Sequence, residues 1–273
     1  MARIEVRMPA GEGIAAGQTA TFKLPIGRRF HELQATYAGV TLAQMTEIRL
    51  FANGKVIHRY SAVDRDKINQ FDGRAAASGI LVIPFDRYNL KTLAGEEETA
   101  LNTGSLDENG VGITSLYLEI DIAAAASAPA ISFNATQSDA LGGGAGTILH
   151  IQRHTRDAAG AGEFDVSDLP RGNATSIALN RLIVKPSAND ISKVQIDRNQ
   201  YVIFERTKAL NEQVQADGVR TPQSGYIVVD KTERGYGGDP IDLLGVSDFR
   251  YKFTMTGAAT LTILSEYLGR LGD

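Results

Sequence analysis

One succession of signals occurs twice in this chain, in the same order, and that doubling limits the possible folds more than any other feature. Leu24-Pro25-Ile26-Gly27 is answered by Leu169-Pro170-Arg171-Gly172, an offset of 145 residues. Glu47-Ile48-Arg49-Leu50, the turn Asn53-Gly54 and Val56-Ile57 are followed at an offset of 146 by Lys193-Val194-Gln195-Ile196, Asn199 and Val202-Ile203. Asp72-Gly73 answers to Asp217-Gly218, Ser78-Gly79 to Ser224-Gly225, Ala16-Gly17 to Ala161-Gly162, and Gly112 with Leu116 to Gly257 with Leu261. The offset changes only in segments that read as loops. A one-residue slip inside a strand would turn every side chain to the wrong face, so loops are where the change belongs. The ordered set predicts two copies of one fold, from Arg3 to Ile122 and from Ile148 to Tyr267.

The local pattern says what kind of fold is doubled. Ile4, Val6 and Met8 alternate with Arg3, Glu5 and Arg7, the period of a half-buried strand. Thr19 to Leu24, closed by Pro25, and Phe30 to Tyr37 read as two more strands. Thr41-x-x-Gln44 has the capping-box pattern of a single helical turn. Glu47 to Phe51 and Lys55 to Tyr60 flank Asn53-Gly54, a pair that tolerates the positive φ of a tight hairpin. Asp64 to Phe71 is polar with spaced apolar positions, and its counterpart, Thr207 to Ala216, reads as a helix with Leu210 and Val214 four apart and Gly218 as its stop.

Ile80 to Phe85 and Gly112 to Ile122 complete the first copy around an irregular stretch, Leu93 to Asn109. About eight short strands per copy with one brief helix suit an antiparallel jelly roll; a βαβ array would need helices of about 10 to 15 residues between strands. The expected architecture is all-β: two tandem eight-stranded antiparallel jelly rolls, a double jelly roll with short helical turns in its loops. The expected boundaries are 1–126 for the N-terminal roll, 127–146 for a connector and 147–273 for the C-terminal roll. The small-residue clusters Ala123 to Ala130 and Leu141 to Gly146 have the composition of a linker, with a short pairing segment at Ile131 to Phe133.

Composition excludes several function classes. At 273 residues, two domains is the prior expectation. There is no Cys, so neither a disulfide nor a thiolate metal site holds the fold, and the chain is compatible with folding in a reducing cytoplasm. The charged start Met1 to Arg7 does not match a secretory signal, and the longest apolar run, Ile122 to Ile131, is mostly Ala and broken by Pro129, so no membrane span is expected. A net charge of −4 offers no basic footprint for direct nucleic-acid binding.

Candidates for chemistry are few. His150 and His154 are four apart in a segment that reads as a strand, where they stand roughly 13 Å apart and share no ion. Gly142-Gly143-Gly144-Ala145-Gly146 lacks the Gly-Lys-Ser/Thr ending of a phosphate loop and reads as a flexible linker. Asp64 with Asp66, Glu96 to Glu98, Asp107 with Glu108, and Asp239 with Asp242 are solvated acidic loops by default; a structural Ca²⁺ held by loop oxygens is the metal chemistry they suit best. None of His31, His58, His150 and His154 forms the His-x-His start of a bicupin metal centre, no Gly-x-Ser-x-Gly elbow occurs, and no catalytic or cofactor-binding residue is assigned.

The ordered residues resemble a family. Ala15-Ala16-Gly17, Lys23-Leu24-Pro25-Ile26-Gly27, Tyr37-Ala38-Gly39-Val40-Thr41 with Gln44, Val111-Gly112-Ile113-Thr114, Ile120-Asp121-Ile122-Ala123-Ala124-Ala125, Asp168-Leu169-Pro170-Arg171 and Glu266-Tyr267-Leu268-Gly269 are similar to the double-jelly-roll major capsid proteins of tailless icosahedral bacteriophages with an internal membrane, nearest those of the corticoviruses. The resemblance implies a non-enzymatic virion protein. Its homotrimers would form pseudo-hexameric capsomers that tile a shell over a lipid membrane, together with a vertex protein, and the shell is in some members stabilised by Ca²⁺. A two-domain β-sandwich that binds or acts on glycans is the alternative, and the absence of Trp counts against it.

Overall fold

The structure, a computed structural model, describes residues 3–272. In the first half, β1 (Ile4–Arg7), β9 (Ala130–Asp139), β3 (Arg28–Ala38) and β6 (Ile80–Pro84) lie side by side in that order, with the short β7 (Leu101–Asn102) also on β3. The facing layer runs β2 (Thr19–Leu24), β8 (Leu116–Ile122), β4 (Met45–Ala52), β5 (Lys55–Tyr60). The second half repeats the plan. β10 (Ile148–Ala158), β18 (Ala259–Gly269), β12 (Ala178–Pro186) and β15 (Ile227–Asp230) face β11 (Gly162–Val166), β17 (Phe249–Met255), β13 (Ile191–Arg198) and β14 (Tyr201–Thr207), and β16 (Ile241–Asp242) pairs with β12. Each half is a jelly roll of eight main strands whose neighbours in the sheet are mostly remote in sequence.

Alternation explains the layers. β8 buries every second residue, Leu116, Leu118, Ile120 and Ile122, against the facing sheet, and β17 does the same with Phe249, Tyr251, Phe253 and Met255. The hairpin turn between β4 and β5 has φ of 51° at Asn53 and 77° at Gly54, and Asn199-Gln200 repeats it with 49° and 69°. Asn53 Oδ1 accepts the amides of Thr114 and Ser115; Asn199 Oδ1 accepts those of Ser247 and Asp248. The helices are α1 (Ala62–Phe71), capped by Ser61 Oγ, the short α2 (Leu93–Glu97), and α3 (Lys208–Gln215), capped by Thr207 Oγ1. The turn Leu42–Gln44 is 3₁₀, with Gln44 Oε1 accepting from the Thr41 amide. No helix of the described residues is long and apolar enough to cross a membrane.

The two rolls are fused edge to edge. β5 of the first roll lies parallel to β10 of the second through one bridge, His58 to Ile151, so that one sheet of nine strands crosses the junction. Because β5 and β10 run in the same direction, both rolls stand the same way up. One end of the molecule carries both β4–β5-type turns and the link from β9 to β10, and the other end carries α1 and α3.

Two expectations require correction. The segment 127–146 is not a connector: β9 fills 130–139 and is a central strand, pairing with β1 on one side and with β3, from Arg28–Asp139 to Ala38–Ala130, on the other. The cause is a false match in the last part of the repeat. The loop between β6 and β8 has 31 residues (85–115), that between β15 and β17 only 18 (231–248), so the offset drops from 146 at the Asn53 turn to 133 at the Ser115 segment that the Asn side chain holds. Gly112 and Leu116 therefore do not answer to Gly257 and Leu261; β8 corresponds to β17 and β9 to β18.

Phe133 on β9 is buried and meets Phe22 edge to face at 4.7 Å between ring centroids. Phe133→Ala is therefore expected to lower the unfolding free energy by about 3–5 kcal/mol in a denaturant titration; a linker position would change it by less than about 0.5 kcal/mol.

Candidate functional site

The seam between the rolls is built from charge as well as from apolar packing. α1 brings its C-terminal end, with Phe71 and the cap residue Asp72, against β12 and β18 of the second roll. Arg181, beside the β12 bulge, donates from Nη1 to Asp72 Oδ2 at 3.3 Å and forms an ion pair with Oδ1 at 2.9 Å, and its guanidinium lies 5.5 Å from the Phe71 ring centroid. On the other side of Arg181 stand Asp230 and Glu266, at 3.6 and 3.8 Å from Nε. Asp230 in turn accepts from Arg220 Nε at 2.6 Å and from the Thr232 amide at 2.8 Å. Arg65, one turn into α1, donates to Asn69 and lies 3.9 Å from Asp72. All of these residues are buried.

Burial disfavours every ion in this set, and pairing decides which ions persist. Burial alone would lower the Arg181 pKa, but Asp72, Asp230 and Glu266 hold it well above the usual arginine range. Burial pushes the Asp230 carboxyl up, and Arg181 and Arg220 more than reverse that. Glu266, with weaker partners, is raised by its burial. His58 is pushed down to about 3, first by burial and then by His150 and Arg65; its Nε2–H donates to the Leu149 carbonyl at 3.0 Å, which fixes the neutral tautomer. A cavity of about 30 Å³ lies among His58, Arg65, Asp72, Asn180, Arg181 and Glu266, enough for roughly two waters. A second contact zone lies along α1: Tyr226 OH donates to Asp64 Oδ1 at 2.8 Å, and Lys185 Nζ reaches the same oxygen at 3.3 Å.

The residues singled out by sequence do not converge on a reaction centre. His150 donates to the Arg270 carbonyl at 2.8 Å from the strand β10, and His154, four positions on, is half-buried on the same strand. Of the acidic loops, Asp64 and Asp66 hold α1 and the loop after it, Glu97 pairs with Arg3 and Arg29, Glu98 with Arg87, Asp107 caps its own turn, Asp239 reaches Lys231 and Asp242 accepts the Leu244 amide. Among the described residues no group of three or more His, Asp or Glu is placed to hold a metal ion. The glycine run 142–146 is tied down, since Asn102 donates to the Leu141 and Gly144 carbonyls.

Two features escaped sequence reasoning. Ser138, His31 and Asp86 form a hydrogen-bonded row, His31 Nε2 to Ser138 Oγ at 2.9 Å and Nδ1 to Asp86 at 2.9 Å, the geometry of a hydrolytic triad. His31 is 1% and Ser138 5% exposed, and Arg3 seals Asp86 from outside, so no substrate carbonyl reaches the hydroxyl; the row locks β3 to β9. The charged seam was also missed, although Asn180-Arg181 inside the apolar run Leu179 to Val184 was its visible sign.

The seam joins the two rolls and keeps its charged residues from solvent. Comparison with known proteins shows what kind of unit the joined rolls form. The viral coat protein P2 N-terminal domain family model matches residues 5–138, and the viral coat protein P2 C-terminal domain model matches residues 148–271. The chain belongs to the viral coat protein P2 family. It is 26% identical over 265 residues to the major capsid protein P2 of Pseudoalteromonas phage PM2, covering 94% of this chain and 93% of that protein. The crystal structure of that phage's protein P2 superposes with a TM-score of 0.89 at 22% identity over the whole of both chains. The major capsid protein of STIV matches with a TM-score of 0.69 at 11% identity, over 99% of this chain and 97% of that one. The chain is thus a double-jelly-roll capsid subunit, a structural component of a virion shell, and the glycan-binding alternative is set aside.

Removing one partner from the seam leaves a buried charge alone. Asp72→Ala is expected to lower the subunit's stability by about 3–5 kcal/mol in denaturant unfolding, and the pair Asp72→Leu/Arg181→Met not to restore it, because Asp230 and Glu266 then lose Arg181 as well. His58 gives a pH dependence. Below its ordinary pKa of 6.5 the unfolded chain binds a proton that the folded chain refuses, so stability falls as pH drops from 6.5 towards 3. Between pH 6.5 and 5 its contribution to the slope approaches about 1.4 kcal/mol per pH unit, and His58→Phe is expected to remove it from the measured ΔG–pH curve.

Proposed function

We propose that this coat subunit forms the bulk of the shell of an icosahedral bacterial virus, that three copies associate into a capsomer with six-sided outline, and that the capsomers tile around an internal lipid membrane beside a separate vertex protein. The observation that carries this reading is the parallel junction of β5 with β10. It sets two rolls of the same plan upright and side by side, so a threefold ring of chains presents six similar units to its neighbours. A closed ring of this kind gives a hexagonal lattice from a single gene product, which is what a shell needs from its most abundant part.

The purified chain is expected to run in multi-angle light scattering as a trimer of roughly 88 kDa, three times the 29.3 kDa chain. Negative-stain electron microscopy of concentrated material is expected to show hexagonal tiles. A monomer under all assembly conditions would refute the trimer.

A further inference from the structure

We infer that the cavity in the seam is a binding site for two water molecules, which bridge the rolls through groups that both rolls contribute. This goes beyond the assembly reading above and does not depend on how copies associate. Four buried side-chain atoms there have no hydrogen-bond partner among the described residues: His58 Nδ1 and Arg87 Nε on the first roll, Asn180 Oδ1 and Arg181 Nε on the second. All four residues line the same cavity of about 30 Å³. They are 1%, 5%, 2% and 7% exposed in that order, so bulk solvent does not satisfy them. A buried polar group without a partner forfeits the hydrogen bonds it made to water in the unfolded chain, and native structures seldom leave such a group unpaired.

The surrounding bonds show why these four atoms are left over. His58 donates its Nε2–H to the Leu149 carbonyl at 3.0 Å, which leaves Nδ1 as a lone-pair acceptor on a neutral ring. Asn180 turns its Nδ2 towards Glu266 Oε2 at 3.5 Å, so its Oδ1 is the unmet acceptor. Arg87 donates from Nη1 to the Gly237 carbonyl at 2.8 Å and from Nη2 to the Gly95 carbonyl at 3.0 Å, and its Nε is not used. Arg181 turns both terminal nitrogens to Asp72, while its Nε stands 3.6 and 3.8 Å from Asp230 and Glu266, beyond hydrogen-bond reach.

What remains is balanced in two ways, and the balance identifies the ligand. Each roll brings one unmet donor and one unmet acceptor. The lining also sets three arginines, Arg65, Arg87 and Arg181, against three carboxyl residues, Asp72, Asp86 and Glu266. An anion would face the two lone pairs and the carboxyl groups; a cation would face the two Nε–H donors and the guanidiniums. The occupant must therefore be neutral, must both donate and accept, and must fit about 30 Å³. Water meets all three conditions, and the space suits roughly two molecules. Four bonds to the protein and one between the waters give each of them about three, the usual number for a buried water. The bridge also eases docking, because the four groups are hydrated while the rolls are apart and keep a hydration partner once the rolls close.

A crystal structure of the full chain, at a resolution that shows ordered water, tests this directly. Two water peaks are expected in the cavity, between them within about 3.2 Å of His58 Nδ1, Arg87 Nε, Asn180 Oδ1 and Arg181 Nε. A crystal soaked in sodium bromide is expected to give no anomalous bromide signal there. Asn180→Leu replaces the acceptor by a methyl group, and its crystals are expected to lose at least one of the two peaks. In solution the same variant is expected to show fewer long-lived waters by oxygen-17 relaxation dispersion than the unaltered chain. A cavity without ordered density, peaks that touch one roll only, a bromide signal, or a peak ringed by acceptors alone would overturn the assignment. So would an Asn180→Leu chain that folds and keeps both waters; if that variant does not fold, the map of the unaltered chain decides by itself.

Discussion

The structure depends on one arginine that two domains share. Arg181 belongs to the second roll, its best partner Asp72 to the helix of the first, and neither can be solvated once the rolls meet. Buried ion pairs contribute little net stability over apolar packing of the same shape, but they penalise strongly any arrangement that separates the partners. The seam therefore acts as a register pin. It selects the one relative placement in which Arg181 reaches Asp72, Asp230 and Glu266 together, and apolar contact from Ile68, Phe71, Ile183 and Val228 supplies the attraction.

That placement matters because a shell tile is a problem of geometry. Jelly rolls have open sheet edges, and open edges invite uncontrolled pairing. In this chain one pair of edges, β5 and β10, is satisfied internally, and the ion network fixes how. The first roll's helix has become a buried strut, with Asp64 held by Tyr226 and Lys185, while its second-roll equivalent keeps Leu210 and Val214 at the surface. Two helices in equivalent places thus have different surroundings, the first covered within the chain and the second not.

Most of the fold was legible in the sequence because its signals are local. Asn53-Gly54 specifies a tight turn wherever it occurs, and the alternation of Leu116, Leu118, Ile120 and Ile122 declares a strand with one wet face. The end of the repeat was misread for a physical reason as well. Loop closure penalises extra length only weakly, so the longer loop at 85–115 leaves no mark on the flanking strands, and Gly257-Leu261 presented a convincing but wrong partner for Gly112-Leu116. β9 was hidden by its neighbours, small residues on either side that suggest a linker, although Ile131 and Phe133 carried the strand. The seam was the least legible part, since Asp72, Arg181 and Glu266 are far apart in sequence and only the assembled rolls give them a common purpose.

Within the second roll, β10 and β18 are zipped by eleven facing pairs, whereas β5 and β10 share a single bridge. Side chains and not a backbone ladder therefore make the join: the apolar core of the first roll runs on through Ile148, Ile151, Ile183 and Val228, and the Asp72–Arg181 pair locks it. Such a join resides in a few residues at the boundary, so a substitution there parts the two sandwiches without first unravelling either.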